Sequence, residues 1–241
     1  MCIRDSYYPA FPYPHFTKLI RPDILAIRAY LDTLPPVRNT PPPPQLRWPL
    51  NYRVLMRLWN FAFFRPGIFE PDQNKSVEWN RGGYLVEGAA HCGFCHTPKN
   101  FFGAEKRGQK LGGGAVDGWF APRLDGADRS GLKSWSADDI AEYLQSGRNG
   151  RSHASGPMAD VVLNSTSRMS DADVRAIAVY LKDLPPGASE PVVAPPPAQM
   201  ADGEKLYKAA CIACHEADGS GAPRIYPPLP GNANLQSADP S

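Results

Sequence analysis

Cys92-Gly93-Phe94-Cys95-His96 is a Cys-x-x-Cys-His motif, and Cys211-Ile212-Ala213-Cys214-His215 repeats it. This pattern marks covalent attachment of c-type haem. Two thiols one helical turn apart can add to the two vinyl groups of one porphyrin. The adjoining histidine, His96 or His215, then lies beneath the iron as its proximal ligand. Other readings of the same residues are weaker. Zinc needs four ligands close in space, and a local cysteine pair with one histidine leaves one missing. A thioredoxin-like redox pair expects a βαβ setting, which the flanking sequence does not offer. A structural disulfide between adjacent pairs is weaker still.

The residues around the first motif read as helices. Ser76 to Ala90 leads into it, with Val77, Tyr84 and Leu85 on an apolar side. Ser136-Ala137-Asp138-Asp139 has the form of a helix start and is followed by Ile140, Tyr143 and Leu144 at helical spacing. Asp173 to Leu184 gives a third helix, carrying Val174, Ile177, Leu181 and Leu184, and Pro185-Pro186 stops it. Leu111–Ala115 and Trp119–Pro122 read as loops covering a haem, and strand signals are weak throughout. A sixth iron ligand is expected downstream. Met158 sits in Ser155-Gly156-Pro157-Met158, a loop composition, and a rigid Gly-Pro loop can present a thioether to iron. Met169 is the rival, just before the helix cap Ser170, and either methionine could instead fill core.

The wider chain reads as units in tandem. Ala26–Pro36 and Ala176–Pro186 match at seven of eleven positions. The second copy closes a haem domain, so the first should close one too. The expected plan is a C-terminal remnant of a first domain (7–36), a Pro-rich linker with an apolar docking segment (37–75), and a complete domain (76–186). A second Pro-rich linker (187–198) and the N-terminal part of a third domain (199–241) follow. The linkers contain Pro41–Pro44 and Pro195–Pro197 and should be extended spacers. Residues 1–6 can be back-translated into a transposon end used in sequencing libraries, so they are read as an artefact that also accounts for Cys2. The chain is therefore expected to be a fragment of a longer protein.

Composition limits the partners. The 241 residues have a formal net charge of +2, which gives no bulk basic excess for nucleic acid. No run reaches the ~18 uncharged apolar residues of a spanning helix. Leu50–Phe64 is apolar, with Arg53 and Arg57 one turn apart. It reads either as a helix packed on the following haem domain or as a docking surface for a partner subunit or the membrane interface, with Trp59 and Phe63 as its contacts.

Together these stretches resemble the multihaem (three-haem) cytochrome c subunit of membrane-bound bacterial alcohol, gluconate or aldehyde dehydrogenase complexes. The matching residues are Tyr8–Tyr13, Trp79–Val86, His91–Asn100, Gly156–Met158 and Ala176–Pro186. The resemblance implies a mainly α fold of small cytochrome c-like helical haem domains in tandem, joined by Pro-rich linkers. It implies haem c at two motifs here and three in a full-length protein. Cys92, Cys95, Cys211 and Cys214 would be thioether cysteines, His96 and His215 proximal ligands, and Met158 a distal ligand. A catalytic dehydrogenase subunit would donate electrons, and ubiquinone or another respiratory acceptor would receive them. The chain departs from the family in lacking the first attachment motif. Phe11 and Leu19 stand where a methionine could have served the first haem, and no distal ligand is visible for the third.

The mechanism expected is one-electron transfer through His/Met-ligated haem, without a substrate-oxidising site in this chain. Asp138 and Asp139 read as helix N-terminal charge rather than acid–base catalysts. His91 and His153 read as surface histidines rather than iron ligands, and Arg148 and Arg151 as solvated charge rather than partners of haem propionates. The alternatives are a haem enzyme of the dihaem peroxidase type, which needs an open iron, and a zinc-binding module. Bacterial c-haem maturation occurs outside the cytoplasm. The expected location is the periplasm, at the outer face of the inner membrane, with attachment peripheral or through partners.

Overall fold

Two helices cross at a glycine in the computed structural model, which describes residues 7–40, 46, 48–128, 131–188, 195–230, 232 and 235. The helices are α1 (Tyr13–Phe16), α2 (Arg21–Leu31), α3 (Leu55–Phe63), α4 (Val77–Tyr84), α5 (Gly93–His96), α6 (Ala137–Ser146), α7 (Gly156–Asn164), α8 (Asp171–Lys182), α9 (Pro197–Ala210) and α10 (Ile212–His215). A short antiparallel hairpin pairs β1 (Gly114–Val116) with β2 (Trp119–Ala121). The fold is mainly helical. Residues 1–6 with Cys2, the Pro41–Pro44 run and residues 189–194 of the second linker lie outside the described residues.

The central unit is built on α4, α6 and α8. Each starts on a serine whose hydroxyl accepts an N–H from the first turn: Ser76 from Trp79, Ser136 from Asp139, Ser170 from Asp173. Asp139 returns the bond to Ser136, completing a capping box, so its charge serves the helix start as expected. Tyr84, Leu85, Ile140, Leu144, Val174, Ile177, Tyr180 and Leu181 meet in one apolar core. Gly82 lies where α4 crosses α8, and a Cβ there would stand 2.0 Å from the carbonyl oxygen of Ala176. Trp79 flanks the crossing, its ring 4.8 Å from that of Tyr180 and its Nε1 donating to Asp183 at 2.9 Å.

Several local expectations are corrected. Val77 is exposed rather than part of the apolar side. It is the first residue inside the cap, where the side chain points off the α8 contact. The helix Ser76–Ala90 changes pitch, passing into a π-helical turn over Leu85–Ala89. The extra residue in that turn delivers His91 and Cys92 to α5. The loops flanking Asp117-Gly118 form the β-hairpin, closed by two residues of positive φ. Met158 lies in the first turn of α7 rather than in a loop, because Pro157 is well suited to a helix start. α3 packs inward through Trp59 and Phe63. Trp59 Nε1 donates to Phe102 O at 2.9 Å, and the Phe63 and Phe102 rings are 5.8 Å apart.

Arg81 on α4 grips Asp173 on α8 with two bonds, at 2.7 and 2.9 Å. This bidentate pair, opposed by burial, holds the Asp173 carboxyl below its ordinary value. A depressed carboxyl adds stability that is full above its unfolded value of ~3.9 and vanishes as pH falls through the folded one. With Arg81 substantially exposed, Asp173→Asn should cost only about 0.5–1 kcal/mol at pH 7. Thermal denaturation from pH 7 down to about 3 should show the two proteins converging in acid. A constant difference at every pH would remove the pair as the cause.

Candidate haem sites

α5 is one helical turn, and it sets the first motif. His96 N donates to Cys92 O at 3.0 Å and Cys95 N to the same oxygen at 3.3 Å, which puts both thiols on one turn. Neither is in a disulfide. Burial pushes the Cys92 thiol up to about 12 and raises that of Cys95 as well.

His96 is buried, and its Nδ1 lies 2.6 Å from the carbonyl oxygen of Pro122. A carbonyl accepts only from a protonated nitrogen, so this contact fixes the tautomer and leaves the Nε2 lone pair free. Desolvation lowers the imidazole pKa and keeps the ring neutral. No described buried side-chain nitrogen or oxygen lacks a partner, so Nε2, which has none, faces accessible space. Two neutral thiols on one turn beside a neutral, oriented imidazole fit covalent haem.

The second motif repeats this wiring on α10. His215 N donates to Cys211 O at 3.0 Å, and its Nδ1 lies 3.3 Å from Pro227 O. Each histidine carbonyl is held by a glycine N–H, Gly113 to His96 at 2.8 Å and Gly221 to His215 at 3.1 Å. The second site is the more open, with Cys214 exposed.

Met158 is half-buried against the central core, as is Met169. Their settings differ. Gly156, at φ +51°, lies under the Trp119 ring, and a Cβ there would be 2.6 Å from it. Trp119 opens β2 and Pro122 directly follows it, so one strand touches both the start of α7 and the His96 ring. The buried Asn149 pins the loop before α7. Its Nδ2 donates to Asp139 O at 2.7 Å, and its Oδ1 accepts from the N–H of Arg151 at 2.8 Å and of Ser152 at 2.9 Å.

The remaining candidates take structural places. Arg151 pairs with Asp139 at 3.2 Å, and Asp138 pairs with Arg175. His153 is exposed and bridges in backbone to Arg148. His91 is half-buried at φ +40°, its ring 5.5 Å from that of Phe16. Sequence reasoning did not find His15, which lies 2.6 Å from Glu105 and 3.1 Å from Glu87 O, because both partners are remote in sequence. Among the described residues, no three His, Cys, Asp or Glu side chains gather as a metal cage.

The family described as Cytochrome c matches residues 200–241. The chain is 42% identical over 240 residues to a nicotinate dehydrogenase subunit of Pseudomonas putida, covering 95% of this chain and 20% of that one. It is 38% identical over 257 residues to the cytochrome c subunit of the alcohol dehydrogenase (quinone) of Gluconacetobacter polyoxogenes, covering 98% and 55%. It is 34% identical over 262 residues to the fructose dehydrogenase cytochrome subunit of Gluconobacter japonicus, covering 97% and 54%. The chain thus spans about half the length of these last two relatives. Paired haem-attachment motifs and a mainly helical scaffold thus go with similarity to the cytochrome c subunits of dehydrogenase complexes, and both motifs fit haem c.

Proposed function

We propose that this chain passes electrons from a partner dehydrogenase subunit toward ubiquinone or another respiratory acceptor, in the periplasm at the outer face of the inner membrane. The observation that carries the reading is the shared wiring of the two motifs, in which a proline carbonyl faces the histidine Nδ1 at 2.6 Å in one and 3.3 Å in the other. Cys92, Cys95, Cys211 and Cys214 would hold two haems through thioethers, with His96 and His215 as proximal ligands and Met158 as the distal ligand of the central one. Bound haem c supplies a one-electron redox centre. The protein orients each imidazole and keeps that of His96 neutral.

The relatives' names give nicotinate, alcohol and fructose as donors and quinone as one acceptor. The donor here is therefore fixed by the partner subunit. The tandem plan is part of the same proposal. Ala176, Ile177, Tyr180 and Leu181 are buried on α8, while their repeat counterparts Ala26, Ile27, Tyr30 and Leu31 on α2 are exposed. That is the surface expected of the closing helix of a first haem domain.

The test is expression with the c-haem maturation machinery, followed by intact mass and a reduced-minus-oxidised spectrum. A gain of two haems and a sharp low-spin reduced band are expected, with one haem lost in a Cys92→Ser/Cys95→Ser variant. No haem, while a control cytochrome matures, would sink the reading.

A further inference from the structure

We infer that the outward face of α3 and the segment before it docks on an anionic lipid surface. This rests on the membrane-side placement proposed above and names the segment responsible. α3 is apolar on two faces, and the described residues cover only one. Met56, Trp59, Asn60 and Phe63 recur at helical spacing toward the protein, where Met56 is buried and Asn60 accepts from Tyr13. Val54, Leu58 and Phe61 recur at the same spacing on the opposite side, 63%, 69% and 85% exposed. A helix apolar all round is normally buried all round.

The uncovered surface continues beyond the helix. Trp48, Leu50 and Tyr52 precede it and are exposed. At the other end Phe102, which stacks on Phe63, leads to the exposed Phe101 ring 5.5 Å away. Charge selects the occupant. Between Trp48 and Phe69 the sequence has three arginines, at 53, 57 and 65, and no lysine, aspartate or glutamate. Apolar side chains with tryptophan and tyrosine alongside and arginine as the only charged type match an interface of anionic headgroups over acyl chains. No described helix is long and apolar enough to cross a membrane, so the contact is one of lying on the surface.

The experiment uses the full haem-loaded chain and vesicles of phosphatidylcholine alone or with about a third phosphatidylglycerol, separated by flotation. The wild type should float with the anionic vesicles at least tenfold more than with the neutral ones, and less so as salt rises. The variant Val54→Ser/Leu58→Ser/Phe61→Ser changes only exposed side chains and should lose most of that binding. Its haem content and reduced spectrum should be unchanged, so a failure here is distinguishable from a failure of the electron-transfer reading. Equal flotation of variant and wild type, or no flotation with either vesicle, would overturn the assignment. So would loss of dehydrogenase-subunit capture by the variant with vesicle binding intact, which would give the face to a protein partner.

Discussion

Gly82→Ala is expected to prevent the central unit from closing, and with it haem capture at Cys92 and Cys95. By helix propensity alone the change should help, by about 1 kcal/mol. The crossing of α4 and α8 decides otherwise. The added methyl would stand 2.0 Å from Ala176 O and 2.7 Å from the Tyr180 Cβ. The nearest obstacle is backbone of a buried helix, so no rotamer change relieves it. Overpacking that side chains can absorb costs ~1–3 kcal/mol, and this clash should exceed that range. Against a domain stability of ~5–15 kcal/mol, a loss of more than about 3 kcal/mol is large. Intact mass after co-expression with the maturation machinery should show the central haem missing or its yield sharply reduced. Gly203→Ala in α9, which has nothing within 4 Å, is the control and should be silent. Full haem loading with an unchanged melting temperature in the Gly82 variant would show that the helices do not cross there.

The periodic and chemically distinctive parts of this fold were legible in the sequence. Ser136 and Ser170 announce their helices because a serine hydroxyl substitutes for a missing backbone partner within three residues. The two Cys-x-x-Cys-His motifs are local for the same reason. What was hidden depends on backbone atoms or on distant contacts. Any residue has a carbonyl, so nothing in the sequence singles out Pro122 as the partner of His96, 26 residues away. The π-helical turn at Leu85–Ala89 spends one extra residue and has no composition of its own. The inward set of α3 could not be told from its outward set, since both are apolar and only Phe102 and Asn60 reveal which faces the protein. The repeat in α2 and α8 was legible as sequence identity. That one copy is buried and the other exposed is a matter of what packs against each.

Met158→Leu separates iron ligation from core filling. Leucine and methionine are close in volume, so the exchange should cost less than ~1.5 kcal/mol of stability and leave the core that Met158 packs against in place. If the Met158 sulfur ligates the central iron, the variant should still hold its haem, because the thioethers at Cys92 and Cys95 are independent of it. It should lose the low-spin spectrum of that haem, and the midpoint potential should fall by on the order of 0.1 V, within the ~0.8 V that axial ligands span. Met169→Leu, just before the α8 cap Ser170, should change neither. The reason to favour Met158 is mechanical. β2 contacts Gly156 through Trp119 and is followed at once by Pro122, whose carbonyl faces His96. A single strand thus sets the start of α7 relative to His96, the arrangement that Met158 and His96 would need to hold one haem iron between them. Trp119→Ala should loosen that tie and weaken low-spin character without changing His96 or Met158. A Met158→Leu protein with an unchanged spectrum and potential would return Met158 to the core and leave the sixth position to another group.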